Sequence, residues 1–222
     1  MSAQKNRSSD SESGNSVPKA VVNRLSLYLR ELQHAVNSGH ETTSSSQLGN
    51  LLGFSDAQVR KDLAYFGQFG YPGIGYRCDE LIAAIRKILG TDRQWHIAVV
   101  GVGNLGRALL GYKGFLQQGF ELVAAFDVDR DRVGTKIEGV DIFHLDQLTE
   151  IAKEKNIKLA MIAVPAAAAQ QVADRIADAH LEGVVNFAPV TISLPDHISQ
   201  VGVDLAIELE QLAFSALKRA RR

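Results

Sequence analysis

Residues 97–110, IAVVGVGNLGRALL, join a short apolar run to Gly-x-Gly-x-x-Gly and then to a helical pattern. In that order the three glycines have separate uses. Gly101 permits a tight turn, Gly103 lets the backbone approach a pyrophosphate, and Gly106 lets helix and strand pack closely. Phosphate oxygens would meet free N–H groups at the positive end of the helix dipole. The segment therefore predicts a dinucleotide-binding strand, turn and helix.

The next predicted strand ends in AAFDVD and supplies an acidic residue. Asp127 lies about 20 residues after Gly106, where a carboxylate binds the ribose hydroxyls. A carboxylate there disfavours a 2′-phosphate, so NAD(H) is expected over NADP(H). Arg130 and Arg132 follow closely and would weaken that preference.

From residue 91 onward, predicted strands and helices alternate, which indicates a parallel sheet covered on both faces. The predicted helix after the glycines runs through NLGRALLGYKGFLQQ, and the last short strand is VGVDL. Ligands in such sheets lie beyond the carboxyl ends of the strands. The loops that hold Pro165 and the segment Asn186, Phe187 and Pro189 are therefore expected to flank the nicotinamide half of the cofactor.

Residues 17–90 have a different pattern, one that is typical of helices with short breaks. An amphipathic helix ends at Gly39, and Ser44 with Gln47 and Ser55 with Gln58 fit two capping boxes. The two short helices that follow them are joined by a glycine-containing turn, which is the helix-turn-helix signature. In that motif the start of the second helix faces base edges, here Gln58, Arg60 and Lys61. GQFGYPGIGYR predicts a hairpin wing, although a plain helical bundle with solvated charges is an alternative for the whole region.

Composition excludes several classes of protein. The net charge of −1 is not that of a strongly basic nucleic-acid binder, although residues 17–90 carry eight Lys/Arg against six Asp/Glu. The polar residues 1–16 predict a disordered tail without a secretory signal, and no apolar run is long enough to span a membrane. The lone Cys78 cannot form an internal disulfide, and no metal-ligand cluster is predicted.

The sequence contains no evident catalytic group. None of the six histidines lies in a motif with a partner carboxylate or lysine, and too little chain follows the nucleotide fold for a substrate domain. Three functions stay open from these residues. They are a DNA-binding protein that senses which form of the cofactor is present, a small NAD-dependent oxidoreductase with a fused helical domain, and a nucleotide-binding regulatory subunit that contacts protein.

Several segments together resemble the Rex family of bacterial redox-sensing repressors. They are YLR at 28–30, QVRKDLAYFG at 58–67, GIGY at 73–76, GVGNLGRALLGY at 101–112, FDVD at 126–129, VP at 164–165, NFAPV at 186–190 and VDL at 203–205. The resemblance implies an α/β chain with a winged helix-turn-helix domain over 17–90, a Rossmann-like domain over 91–203, and a dimerisation helix over 204–222 that is exchanged between subunits. It further implies a cytoplasmic homodimer that grips a palindromic DNA operator and is released by NADH.

The resemblance also assigns residues. The expected NAD+ and NADH contacts are Gly101, Val102, Gly103, Asn104, Leu105, Gly106, Tyr112, Asp127, Val128, Asp129, Pro165, Asn186 and Pro189. The expected DNA contacts are Ser44, Ser45, Ser46, Gln58, Arg60, Lys61, Tyr65, Gly73 and Tyr76. Arg30, Tyr112 and Asp204 are expected to form the network that couples cofactor to DNA.

Two positions depart from the family pattern. Tyr71 and Pro72 stand where family members often carry basic wing residues that enter the minor groove, so minor-groove contacts are expected to be weaker. Leu205 stands where the family often has phenylalanine, which weakens the expected steric block near the nicotinamide.

Overall fold

The computed structural model describes residues 17–220, so the predicted tail over 1–16 and the last two arginines lie outside the described residues. Contacts within the chain divide it into two compact units, one up to Asp92 and the other from Arg93. Among the described residues, every helix falls short of the length and apolar character that a membrane crossing requires.

The first unit is built from four helices and a small sheet. Its elements are α1 (Lys19–Asn37), β1 (Thr42–Thr43), α2 (Ser45–Leu52), α3 (Asp56–Ala64), β2 (Tyr76–Arg77) and α4 (Cys78–Leu89). α1 buries the stripe Val21, Leu25, Tyr28, Leu29 and Leu32, whose spacing of three and four residues makes one helix face. This face packs with Val59 and Leu63 of α3 and Leu81 and Ile85 of α4 in one core cluster.

The predicted hairpin forms a tight turn. Tyr71 and Gly75 pair across it, and Gly73 sits at a φ of 78°, a left-handed conformation that glycine adopts without strain. The strand after the turn, β2, pairs antiparallel with β1. This pairing joins residues more than 30 positions apart and was not part of the sequence prediction.

The second unit contains a seven-stranded sheet. Its strands are β3 (Trp95–Val100), β4 (Phe120–Asp127), β5 (Lys136–Ile137), β6 (Val140–His144), β7 (Ile157–Ile162), β8 (Gly183–Asn186) and β9 (Ser199–Gly202). Its helices are α5 (Asn104–Leu110), α6 (Gly114–Gln117), α7 (Leu148–Glu154), α8 (Ala166–Asp178) and α9 (Leu205–Ala220), with a 3₁₀ turn at Leu145–Gln147. The strand order is β5-β6-β4-β3-β7-β8-β9.

Three details of the sequence prediction need correction. The sheet is parallel except at one edge, where β5 runs antiparallel to β6 after a short turn. The helix after the glycine motif ends at Leu110, where Gly111 follows it, and a separate short helix, α6, begins at Gly114. The last strand is Ser199–Gly202 rather than VGVDL. Asp204 instead accepts a hydrogen bond from the Ala206 N–H at 2.9 Å, at the start of α9.

Helix α9 has an apolar surface that its own subunit does not cover. Its large apolar side chains are all at least half exposed, namely Leu205, Ile207, Leu209, Leu212, Phe214 and Leu217. They lie on two stripes of the helix, one with Leu209 and Leu212 and the other with Phe214 and Leu217. Uncovered apolar stripes of this kind on a helix are typical of a surface that packs against a partner.

Candidate functional site

The four central strands end at one edge of the sheet. Val100 pairs with Phe126 on one side and with Ile162 on the other, and Ile162 pairs with Asn186. The loops that follow these residues therefore meet at the carboxyl edge. Because β4 and β7 flank β3 on opposite sides, the chain leaves β3 at the point where strand order reverses, which is where ligands bind in such folds.

The glycine loop fits a pyrophosphate. Gly101 has a φ of 94°, and a Cβ there would lie 2.6 Å from the Ala163 carbonyl oxygen. A Cβ on Gly106 would overlap the Gly101 carbonyl oxygen, whereas one on Gly103 would meet no atom within 4 Å. No side chain caps the start of α5. The open space at Gly103 and the uncapped N–H groups of the helix together form a site for phosphate oxygens.

The remaining residues of this loop have distinct places. Val102 is buried and packs in the core under the loop. Asn104 accepts a hydrogen bond from Arg107 at 2.8 Å, and Leu105 is exposed at the start of α5. Only the backbone of this segment and the side chains of Asn104 and Leu105 are thus available to a ligand.

Asp127, the expected ribose-binding carboxylate, is hydrogen-bonded within the protein. Its Oδ2 accepts from the Val102 N–H at 2.8 Å and from Arg132 at 3.1 Å, and its Oδ1 accepts from the Val128 and Asp129 N–H groups. Burial opposes ionisation, but these donors lower the pKa of Asp127 below its usual value. A carboxylate has about four acceptor positions, so all of them are used within the protein. A ribose hydroxyl must replace the Arg132 contact to bind here.

The loops after β7 and β8 place the other predicted cofactor residues. Pro165 is exposed and precedes the first turn of α8. Asn186 is buried and shapes its own loop, because it donates to the Val190 carbonyl at 2.8 Å and accepts from the Ala188 N–H at 3.0 Å. Asn186, Pro189 and Asp204 line one cavity of about 510 Å³.

The three residues of the expected switch network are described each within its own unit. In the first unit, Arg30 is exposed, with its Nε 3.5 Å from a Glu31 oxygen. In the second, the Tyr112 ring packs edge-on against Phe115 with centroids 4.8 Å apart, and it is 56% exposed. Asp204 lies at the N-terminus of α9. Their coupling stays a prediction.

Helices α2 and α3 form the predicted helix-turn-helix, and their starts differ. Ser44 and Gln47 make the complete capping box, with the Ser44 hydroxyl accepting from the Gln47 N–H and the Gln47 side chain accepting from the Ser44 N–H. The second capping box is only half formed. Ser55 accepts from the Gln58 N–H at 3.1 Å, but the Gln58 side chain turns to Asp62, a charged acceptor one turn further along.

The expected DNA-contacting residues form a partly exposed surface. Ser46, Lys61 and Tyr65 are exposed, while Arg60 donates to Asp56 at 2.8 Å and to the Ser45 hydroxyl at 3.1 Å. Gly73 lies in the wing turn. The Tyr76 ring is buried in the core of the unit, where burial raises its pKa, and its expected contact with DNA stays a prediction.

Sequence reasoning missed the buried polar network behind this surface. Asp62 accepts two hydrogen bonds from Arg24, at 2.5 and 2.8 Å, and one from the Tyr28 hydroxyl at 2.8 Å. The available signal was the position of Asp62 on the apolar stripe of α3 between Val59 and Leu63, where a charge requires partners.

The wing tip carries no cation. Tyr71, Pro72 and Ile74 are exposed, and the nearby Arg77 lies over the Tyr71 ring, 5.8 Å from its centroid. The Tyr71 hydroxyl donates to Glu80 at 3.0 Å. The wing is therefore a turn without a cation at its tip, as its sequence indicated, and Arg77 and Glu80 hold its Tyr71 side chain in place.

Among residues 17–220, no three His, Cys, Asp or Glu side chains gather closely enough to hold a metal ion. Cys78 is buried, and burial raises the pKa of its thiol, which makes it unreactive.

Two family models match the chain, one in each unit. The model described as "CoA binding domain" matches residues 92–190, and the model described as "Putative DNA-binding protein N-terminus" matches residues 16–64.

Similar proteins cover nearly the whole chain. The redox-sensing transcriptional repressor Rex of Carboxydothermus hydrogenoformans is 44% identical over 91% of this chain and 97% of its own length. Rex of Streptomyces griseus is 39% identical over 92% of this chain and 81% of its own length. A crystal structure of RSP in complex with β-NAD+ and operator DNA matches with a TM-score of 0.87 at 31% identity, covering 92% of this chain and 94% of RSP. RSP in complex with β-NADH matches with a TM-score of 0.83 at 29% identity, covering 92% and 96%.

Proposed function

The chain belongs to the Rex family of redox-sensing transcriptional repressors, and we propose that it binds operator DNA and releases it when NADH replaces NAD+. It is a regulator and not an enzyme. The observation that carries this function is that one continuous match spans both units, at 44% identity to a Rex repressor over 91% of the chain. A dehydrogenase would share the nucleotide unit alone.

In the proposed complex, the pyrophosphate lies on the open backbone at Gly103 and the uncapped start of α5. The adenosine ribose lies beside Asp127, where it takes the place of Arg132. The nicotinamide lies toward the loops after β7 and β8, near Pro165, Asn186 and Pro189. The uncapped backbone N–H groups at the start of α5 supply binding and orientation, and no group acts as an acid or base.

The proposed DNA complex contains a homodimer on a palindromic operator. The start of α3 enters the major groove, with Gln58, Arg60 and Lys61 toward base edges and phosphates. Ser44, Ser45, Ser46 and Tyr65 contact the backbone, and the wing turn at Gly73 approaches the minor groove. Exchange of α9 between subunits supports the dimer, because it would cover the two apolar stripes that α9 exposes.

The proposed switch uses the charge of the nicotinamide ring. NAD+ carries one positive charge on this ring and NADH carries none, so a buried pocket distinguishes them strongly. The neutral ring can move inward and displace Tyr112 from Arg30 and Asp204. A rigid rotation of the DNA-binding units then changes their spacing. The exposed setting of Tyr112 leaves its ring free to take a second position.

Titration of NADH against fixed NAD+ tests this function. A fluorescent duplex selected from random DNA by the protein is followed by anisotropy at stated salt, since salt alone changes such affinities by orders of magnitude. Release of the duplex by NADH is the expected outcome. Equal binding in the presence of either cofactor would contradict the function.

Two controls separate the other functions. Steady oxidation of NADH with added carbonyl compounds would indicate an oxidoreductase. The double variant Arg60→Ala and Lys61→Ala keeps NADH affinity and loses operator binding if the partner is DNA, because base and phosphate contacts are both removed. A cytoplasmic location is part of the same proposal, since the chromosomal operator and the NADH pool are found there.

A further inference from the structure

Asp62 is a charged side chain sealed inside the first unit. It is fully buried on α3, the helix that carries the expected base contacts. Arg24 and Tyr28 reach it from α1, 38 and 34 residues earlier in the chain. The fourth hydrogen bond comes from the Gln58 side-chain amide, whose Nε2 lies 2.7 Å from Oδ1. All four acceptor positions of this carboxylate are therefore filled.

The protonation of this cluster fixes the direction of each hydrogen bond. Burial opposes ionisation of Asp62, but the donors Arg24, Tyr28 and Gln58 lower its pKa, so the group is a carboxylate at neutral pH. Burial and the same contact raise the pKa of Tyr28, which keeps its proton and donates it. An ionised carboxylate accepts hydrogen bonds only. Gln58 can therefore approach Asp62 with its NH2 group and never with its oxygen.

The side-chain amide of a glutamine on an open surface rotates freely, so that it can present either its oxygen or its NH2 group to a base. The contact with Asp62 removes this freedom, because the reversed amide would place Oε1 against a negative charge. It also occupies one of the two Nε2 hydrogens. Gln58 then offers the Oε1 acceptor and a single N–H donor side by side.

We infer, on the basis of the proposed repressor function, that Asp62 is a positioning residue that makes Gln58 select adenine against guanine in the operator. Adenine presents the N6 hydrogens and the N7 acceptor in the major groove, which match one acceptor and one donor. Guanine presents two acceptors, O6 and N7. An amide with both hydrogens free can satisfy guanine, but the amide held by Asp62 has one hydrogen left and faces O6 with its oxygen.

The test compares affinities of the full chain for a panel of duplexes. Starting from the duplex selected by the wild type, each A·T pair of one half-site is changed to G·C in turn. For the wild type, the change from A·T to G·C should lower the affinity strongly at one position. In the Gln58→Leu variant, the same change at that position should no longer lower the affinity. At that position Asp62→Asn should reduce the ratio of affinities for A·T over G·C by about tenfold. The reason is that the new asparagine amide donates as well as accepts, so the Gln58 amide can rotate and present either Oε1 or Nε2 to the base.

A structural role alone would give a different result. A general loss of structure in the unit would lower the affinity for all duplexes alike, and it would lower it by the same factor in the Gln58→Leu background. The double variant Asp62→Asn with Gln58→Leu should show no further change in preference relative to Gln58→Leu. Asp79→Asn, an exposed aspartate at the start of α4, controls for the change in net charge and should leave the preference intact. An unchanged preference in Asp62→Asn, or an equal change in both backgrounds, overturns the inference.

A second measurement decides the matter if Asp62→Asn fails to fold. The side-chain amide signal of Gln58 in a ¹⁵N spectrum of the wild type is the one missing from Gln58→Leu. It should show one hydrogen-bonded, slowly exchanging proton, and an amide signal like that of free glutamine overturns the inference. If the wild type selects no duplex at all, the proposed function itself fails.

Discussion

The guanidinium of Arg132 donates to the carboxylate of Asp127 at 3.1 Å, with its Nε 3.2 Å from Asp129. The motif alone predicts an unopposed negative charge that rejects a 2′-phosphate. The ion pair neutralises much of that charge, so this chain is expected to reject NADPH less strongly than the motif implies.

Replacing Arg132 with glutamine should therefore sharpen cofactor selection. We expect the ratio of NADPH to NADH dissociation constants to rise about tenfold, because a carboxylate without its cation repels the phosphate more strongly. Calorimetric titration with each cofactor measures the ratio. The exposed Arg130 provides the matched control Arg130→Gln, which should raise the ratio less. Equal ratios in Arg132→Gln and the wild type would show that the pair does not set cofactor choice.

Two glycines of one motif should respond differently to alanine. Gly103→Ala places a Cβ in open space at a φ of −74°, so the melting temperature should change little while NADH affinity falls at least about tenfold. Gly106→Ala forces a Cβ into the Gly101 carbonyl and should destabilise the second unit with or without cofactor. Calorimetric melting in the presence and absence of NADH distinguishes them. Similar melting losses in both variants would contradict the assignment of Gly103 to the pyrophosphate.

The wing predicts a weak dependence of operator binding on salt. Pro72→Arg adds a cation to an exposed tip that has none, and a dimer has two wings. The slope of log affinity against log salt should steepen by about 2, since each new phosphate contact contributes about 0.9. Anisotropy titrations at several salt concentrations give the slope. Pro72→Gln controls for loss of the proline ring, and an unchanged slope in Pro72→Arg would place the wing away from the DNA.

The exposed apolar side chains of helix α9 are expected to lie in the dimer interface. Leu209 and Leu212 are each 65% exposed within one chain, so Leu209→Glu should shift the protein from dimer to monomer by burying a charge at the interface. Light scattering after size exclusion gives the mass. Gln211→Glu adds the same charge at a polar position of the same helix and should remain dimeric. A Leu209→Glu variant that stays dimeric at micromolar concentration would exclude α9 from the interface.

Local patterns determined most of the architecture. The alternation of strands and helices, the glycine turn after β3 and the complete capping box of Ser44 and Gln47 each depend on residues within a few positions, and each was predictable. The helix after the glycines was predicted too long and the last strand too late, because the boundaries depend on packing that a short window does not contain.

Long-range contacts decided the chemistry of the sites. The sequence prediction placed Gln58 in a capping box and assigned Asp127 to a ribose. It did so because no local pattern shows that Asp62 is buried beside Gln58 or that the Val102 N–H reaches Asp127. Only the folded chain brings Arg24 to Asp62 and the Val102 N–H to Asp127. The physical reason is that a buried carboxylate must satisfy every acceptor position, and the donors that do so come from whichever segments the fold packs against it.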